Sequence, residues 1–124
     1  MSIPYDLLTR NVEVPDHVRR YLEEKLQSLE HLIDSGDSTL FCQIELSKTT
    51  EHHQSGKVFR AEANLRTGGV AFRAVAEGEI LEEALDEVKD ELKIELSKHK
   101  DKNMSLLRRG GARLKSLLRF GRAS

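Results

Sequence analysis

The residue in this 124-residue chain most suited to covalent chemistry is its single cysteine, Cys42. A catalytic cysteine needs partial exposure and a nearby base that activates the thiol. Cys42 instead alternates in phase with Leu40, Ile44 and Leu46, which is the period of a strand with one buried face. We therefore predict a buried structural thiol, and a single cysteine also cannot form an internal disulfide.

Two histidines and a short glycine motif are the remaining candidates for chemistry. His52 and His53 are adjacent, but no further Cys or His stands at ligand spacing, so solvated loop side chains are favoured over a metal site. The sequence "SGK" at 55–57 ends like a phosphate-binding loop, yet the earlier glycine and the following Ser or Thr are missing. No nucleophile, base and orienting group can be assembled. We predict that the protein is not an enzyme and uses no cofactor and no metal.

The charges of the chain divide into a long acidic part and a short basic C-terminal segment. The totals are 20 Lys and Arg against 21 Asp and Glu, a net of −1. Residues 1–102 hold 14 basic and 21 acidic residues, a net of −7, whereas residues 103–124 hold 6 basic residues and no acid, a net of +6. Such asymmetry predicts an electrostatic partner for residues 103–124.

The fold follows from the periodicity of the apolar residues. Alternation predicts four strands, and spacings of three and four predict two amphipathic helices. The strands are predicted near Ile3–Leu8, over Leu40–Lys48, and in a hairpin of Phe59–Arg66 and Val70–Glu77; the helices are predicted over Pro15–Ile33 and from Gly78 to about Lys100. This order predicts an α/β (α+β) fold, in which a four-stranded mixed sheet carries both helices on one face. A right-handed crossover would make the first strand parallel to its partner.

Length and hydropathy predict one domain and no membrane segment. We assign residues 1–102 to the domain and 103–124 to a basic extension. The start of the chain lacks the features of a secretory signal peptide, and the apolar runs are far shorter than the roughly 20 residues that cross a bilayer. These features predict a cytoplasmic protein.

Two stretches of the sequence resemble the ribosome hibernation promoting factor family, whose short members are also called ribosome-associated inhibitor or sigma modulation proteins. The segment "NVEVPDHVRRYLEEKLQSLEHL", residues 11–32, resembles the first helix of the family, with Arg19 and Lys25 at positions that are commonly basic. The stretch "AEG" followed by the second predicted helix and "LSKHKDK", residues 96–102, is similar to the second helix of the family. The hairpin region "HHQSGKVFRAEANL" resembles a subset of short bacterial members.

The resemblance implies a fold like that of a double-stranded-RNA-binding domain and a function in ribosome hibernation. Members bind the small ribosomal subunit near the decoding region, where they block messenger and transfer RNA, inhibit translation and preserve idle ribosomes. They need no cofactor, act on no small-molecule substrate and do not bind membranes. We expect this chain to be a monomer when it is not bound to the ribosome. Because ribosomal RNA is dense in phosphate, its contacts should be basic. The candidate RNA-binding residues of the domain are Arg19, Lys25, Lys98, His99, Lys100 and Lys102.

Four positions of the predicted second helix depart from the family pattern, and together they make it less basic. Ile80 replaces a common Asp, Glu91 replaces a common Lys, and Ile94 and Glu95 replace Arg and Gln. An alternative function is therefore a protein-binding regulatory module, in which this acidic helix recognises a basic partner and the extension only keeps the protein soluble.

The extension can form an amphipathic helix. Lys115, Arg119 and Arg122 form a stripe at i, i+4 and i+7, and Gly110 and Gly111 would act as a flexible joint before it. A disordered solubilising tail, an interfacial membrane helix and an RNA-binding extension are all compatible with this pattern. The resemblance favours RNA binding. The candidate RNA-binding residues of the extension are Arg108, Arg109, Arg113, Lys115, Arg119 and Arg122.

Overall fold

A computed structural model describes residues 3–34, 36–49, 56 and 58–109 of the chain, with residues 102–109 described by their backbone alone. The elements are β1 (Tyr5–Arg10), α1 (Asp16–Gln27), a short 3₁₀ turn (Glu30–Leu32), β2 (Phe41–Lys48), β3 (Phe59–Thr67), β4 (Val70–Gly78) and α2 (Leu81–Arg109). The predicted order of strand, helix, three strands and helix is confirmed.

The four strands form one mixed sheet in the order β1-β2-β3-β4. Strand β1 is parallel to β2, with Leu7 opposite Ile44, and the other two pairs are antiparallel. The β3–β4 turn contains Gly68 and Gly69 at φ values of 59° and 77°, a conformation in which glycine carries no Cβ penalty. The predicted hairpin and the predicted parallel first strand are both confirmed.

One face of the sheet and the inner faces of both helices form a single hydrophobic core. Leu46, Leu85 and Leu92 are at most 2% exposed, and Cys42 is fully buried among these side chains. Burial raises the pKa of the Cys42 thiol to about 12, which keeps it protonated at neutral pH. The predicted structural role of Cys42 is confirmed.

Strand β1 and helix α1 differ from the prediction at their ends. Strand β1 begins at Tyr5 and continues to Arg10, because its pairing with β2 extends two residues past the apolar alternation. Helix α1 ends at Gln27, where the Ser28 hydroxyl donates to the Lys25 carbonyl oxygen at 2.6 Å. Leu29 is buried although the helix has already ended. The helical spacing of apolar residues therefore extends beyond the helix itself, and it led to a predicted helix that was too long.

Helix α2 also differs from the prediction at both ends. Gly78 is the last residue of β4, and the helix starts at Leu81. It then runs nine residues past Lys100 to Arg109 and crosses the boundary predicted after Lys102. The division of the chain at that point stays a prediction.

Gly78 lies where β4 passes closest to the first turn of α2. A Cβ built at this position would be 2.8 Å from the Ala84 nitrogen and 2.8 Å from the Glu83 Cβ. We expect Gly78→Ala to lower the free energy of unfolding by about 1–3 kcal/mol, the usual cost of overpacking. Chemical denaturation measures this change. Gly36→Ala is the control, because its Cβ would meet only the Asp34 carboxylate at 3.5 Å; equal losses in the two variants would contradict the steric argument.

Candidate nucleic-acid interface

The topology brings the C-terminal halves of both helices to one end of the domain. Helix α1 returns antiparallel to β1, and α2 returns antiparallel to β4, so the two helices run in the same direction. At this end, a shallow depression is formed by the 3₁₀ turn, the β3–β4 turn and α2. It is lined by His31, Leu32, Ile33, Asp34, Thr67, Gly68, Phe72, Leu96, His99 and Lys100. We call this end of the molecule the basic end.

Asp37 fixes the loop before β2 to the β3–β4 turn at the basic end. Its carboxylate accepts hydrogen bonds from the Thr67 hydroxyl at 2.9 Å and from the Gly68 backbone N–H. The hydroxyl and backbone N–H of Thr39 also donate to it. These donors lower the pKa of Asp37 well below its usual range. The depression is thus held by hydrogen bonds between segments that are distant in sequence.

Lys98, His99 and Lys100 form an exposed basic cluster on α2 at this end. The Lys98 side chain is 71% exposed and lies 3.8 Å from a Glu95 carboxylate oxygen, a long ion pair. The His99 ring packs edge-on against Phe72, with ring centroids 5.7 Å apart, which orients it over the depression. Exposed lysine side chains such as Lys98 and Lys100 are suited to contacts with a phosphate backbone.

The length of α2 changes the electrostatic role of this cluster. Because the helix continues to Arg109, Lys98, His99 and Lys100 lie before its last turn and away from the negative end of the helix dipole. The dipole acts within the last turn, so it favours Arg108 and Arg109 there instead. Lys102, Arg108 and Arg109 therefore lie on the same continuous helix as the cluster, beyond it toward the C-terminus.

Arg19 and Lys25, the two candidates on α1, have different surroundings. Arg19 is exposed on the first half of the helix. Lys25 lies between the helices, where its ammonium group is 2.9 Å from the Asp86 carboxylate and 4.6 Å from the centroid of the Tyr21 ring. The Tyr21 hydroxyl donates to the same carboxylate oxygen at 2.7 Å. Lys25 therefore has a structural partner that no local sequence pattern predicts.

The contacts among Tyr21, Lys25 and Asp86 predict that the ionised Asp86 carboxylate stabilises the fold modestly. Hydrogen bonds from Tyr21 and Lys25 lower the pKa of Asp86, so its contribution is present above the unfolded pKa of about 4 and is lost as the pH falls. We expect Asp86→Asn to lower the free energy of unfolding at pH 7 by about 0.5–1 kcal/mol, as for other partly exposed pairs. The free energy of unfolding of this variant should also depend less on pH in the acid range. Denaturation at pH 7 and below pH 4 measures both effects.

Asp90→Asn is the matched control for this prediction. Asp90 contacts Lys89 at 3.1 Å on the same helix, and its side chain is 64% exposed. We expect a smaller change in this variant, because the contact joins adjacent residues of one helix and Asp90 is more exposed than Asp86. Equal losses in Asp86→Asn and Asp90→Asn would contradict a stabilising role for the contact between the helices.

The remaining candidates lie outside the described side chains. For Lys102, Arg108 and Arg109 the structure gives the backbone, which is helical. Arg113, Lys115, Arg119 and Arg122 lie outside the described residues, as do the predicted glycine joint and the loop histidines, His52 and His53. Their roles stay predictions.

Sequence reasoning missed His31, which lines the depression beside His99 and Lys100. The predicted α1 included this position, and its sequence neighbours gave no sign that it would face α2. Arg20, which is exposed on α1 next to Arg19, was also not selected. An argument from the basic residues alone could have included Arg20, whereas His31 needed the tertiary structure.

The open face of the sheet, opposite the helices, offers few available cations. Glu62 accepts hydrogen bonds from Arg60 at 2.8 Å, Arg73 at 3.2 Å and Asn64 at 3.0 Å, which lower its pKa to about 2. Arg10 on this face pairs with a neighbouring glutamate at 2.8 Å. Because these arginines are neutralised by carboxylates on their own face, the open face is a weaker candidate for phosphate binding than the basic end.

The middle of α2 is an acidic surface around an exposed apolar side chain. Glu91 and Glu95 are exposed, and Ile94 between them is 53% exposed. All three line one groove beside β4. This groove unites three of the four departures from the family pattern, and it is separate from the basic end.

The described residues show no arrangement typical of a metal site or a membrane span. Among them, no group of three His, Cys, Asp or Glu side chains is placed to hold a metal ion. No described helix is both long and apolar enough to cross a membrane.

Comparison with known families identifies the chain. The family described as sigma 54 modulation protein / S30EA ribosomal protein matches residues 6–104, which is most of the chain. The chain belongs to this family. The resemblance in the two helical segments is thereby confirmed, and the family is one of ribosome-associated proteins with no known enzymatic activity.

Solved structures agree with this family assignment. The N-terminal domain of Protein Y from Thermus thermophilus is 30% identical, with a TM-score of 0.63 over 80% of this chain and 99% of that chain. A ribosomal subunit interface protein from Coxiella burnetii is 22% identical, with a TM-score of 0.55 over 78% of this chain and 98% of that chain, and supports the fold alone. No curated protein sequence matches the chain significantly.

Proposed function

We propose that this protein binds the small ribosomal subunit and silences idle ribosomes by occupying the paths of messenger and transfer RNA near the decoding region. Family membership and the similarity to the Protein Y domain support association with the ribosome. The observation that carries the proposal further is the exposed cluster of Lys98, His99 and Lys100 at the basic end. Its partner in the proposal is the phosphate backbone of ribosomal RNA.

The physical basis of this function is steric occupancy. Phosphate contacts position a protein on RNA without reading its sequence, so a few exposed cations suffice to orient a rigid domain. A domain held in this way excludes other RNA from the same space and needs no catalytic group. Because residues 1–102 have a net charge of −7, the binding surface must be the part of the molecule where cations are grouped and acids are few.

The extension increases the positive charge next to this surface. Helix α2 leads from Lys100 to Arg109 without interruption, and the six basic residues of 103–124 follow the cluster directly in sequence. We propose that they add phosphate contacts along the messenger path or on neighbouring ribosomal RNA. This contribution would compensate for the repulsion between the acidic domain and RNA.

Co-sedimentation with purified ribosomal subunits tests the proposed partner. We expect the protein to pellet with small subunits at moderate salt and to be released as the salt concentration rises, since counterions compete for phosphate. Large subunits alone serve as the control. Recovery only in the supernatant with small subunits would contradict the proposal, and would favour the acidic helix as a protein-binding surface.

A further inference from the structure

A groove between the outer edge of β4 and helix α2 has the chemistry of a docking site. Its lining residues are Ala71, Phe72, Arg73, Glu91, Ile94 and Glu95. Strand β4 is at the edge of the sheet, so no further strand of the described part of the chain covers this side of the groove. Ile94 has 53% of its surface exposed, whereas the neighbouring apolar residues Leu92 and Leu96 are buried. An apolar side chain in this position is available to a partner.

The charges around this groove specify a basic partner. Glu91 and Glu95 are exposed, and the contact from Glu95 to Lys98 is long, at 3.8 Å. Among the described residues that line the groove, Arg73 is the one cation, and it directs its guanidinium group to Glu62, with nitrogen to oxygen distances of 3.2 and 3.4 Å. The rim of the groove is therefore acidic, and a segment with apolar and basic side chains would complement it.

The end of this same chain has that composition. The 15 residues that follow Arg109, "GGARLKSLLRFGRAS", contain four basic residues and no acid. As an extended segment they alternate, with Leu114, Leu118 and Phe120 on one face and basic side chains mostly on the other. We propose that this segment folds back along α2 and docks in the groove, with Leu118 and Phe120 against Ile94.

The distances allow this arrangement for an extended segment. Ile94 and Arg109 are separated by 15 residues of helix, which span about 22 Å. Nine extended residues, from Arg109 to Leu118, reach about 30 Å, whereas nine helical residues reach only about 14 Å. Gly110 and Gly111 provide the backbone freedom to reverse direction after the helix. Docking thus needs the extended form and is incompatible with a fully helical tail.

The same geometry supplies a matched control at an exposed isoleucine just before α2. Ile80 is 51% exposed, nearly the same as Ile94. It precedes α2, and the 29 residues between it and Arg109 span about 44 Å, which exceeds the reach of Leu118. An arginine at either position adds one cation to the surface, but only the substitution at Ile94 lies within the proposed contact.

Paramagnetic broadening in the free, full-length protein tests the docking. Ser124→Cys carries a nitroxide label, and Cys42 does not compete for the reagent because it is fully buried. At low salt we expect selective loss of amide peak intensity at residues 71–73 and 91–95. The loss should disappear in Ile94→Arg, persist in Ile80→Arg and diminish as salt rises.

Three outcomes would overturn the proposal. One is uniform or absent broadening, and another is equal broadening in the Ile94→Arg and Ile80→Arg variants. The third is broadening of isotope-labelled protein by a separate spin-labelled copy, which would show that the groove binds a second molecule. No ribosome is present in this experiment, so its failure leaves the proposed ribosomal function intact.

Discussion

Neutralising the basic extension is expected to make ribosome binding both weaker and much less sensitive to salt. The variant replaces Arg108, Arg109, Arg113, Lys115, Arg119 and Arg122 with glutamine and keeps the length of the chain. Each phosphate contact contributes roughly 0.7 to 0.9 to the slope of log affinity against log salt concentration. If all six residues contact phosphate, the slope should become shallower by about 4 to 5.

We obtain this slope by measuring the affinity of small subunits for the original protein and for the glutamine variant. The measurements cover several salt concentrations between about 50 and 200 mM. A chain that ends at Lys102 should behave similarly, since Leu96 is the last buried side chain of α2 among those described. A solubilising tail predicts no change in slope. An unchanged slope would therefore contradict the role proposed for the extension while leaving the domain's own binding untouched.

Reversing the charge of the cluster at the basic end is expected to weaken binding on the order of a hundredfold. Lys98→Glu combined with Lys100→Glu removes two attractive contacts and adds two repulsive ones, each of about 1 kcal/mol in high dielectric before salt screening. Both lysines are exposed, and the one ion pair that the structure gives for Lys98 is long. We therefore expect binding to fall without a comparable loss of stability.

The matched control reverses two lysines in the acidic half of the same helix, Lys89→Glu with Lys93→Glu. This variant has the same net charge as the first, so a difference between the two isolates position from total charge. We expect the control to change binding by less than about fivefold, because repulsion that acts from outside the contact is screened at moderate salt. The Lys89 side chain is 22% exposed and pairs with Asp90, so thermal unfolding also detects any loss of stability in this variant. Binding to small subunits and thermal unfolding are measured on both variants. Equal weakening in the two would contradict a localised basic end.

The apolar positions predicted the architecture because buried side chains recur with the periodicity of the helix or strand that carries them. Val18, Leu22 and Leu26 are all buried on α1, and the alternation around Ile44 matches its position on the covered face of the sheet. The helix ends were less predictable. Leu29 keeps the helical spacing while the backbone has already left the helix, since a buried turn and a buried helix select the same side chains.

The candidate site was only partly predictable, because contacts between distant segments determine which charges are available. Lys25 and Lys98 look alike in sequence, but Lys25 is held by Asp86, which is 61 positions away. His31 reaches the basic end only because the 3₁₀ turn packs beside α2. Likewise, Arg73 of β4 is neutralised by Glu62 of the neighbouring strand β3, a contact that no local pattern reveals.

A structure of the protein bound to the small ribosomal subunit is the most direct test of the central proposal. We predict that the domain lies between the head and body near the decoding region, with Lys98 and Lys100 facing ribosomal RNA. In that orientation the acidic groove around Ile94 should face away from phosphate, because Glu91 and Glu95 would be repelled. Binding elsewhere on the ribosome, or contact with RNA through the acidic middle of α2, would contradict the proposal.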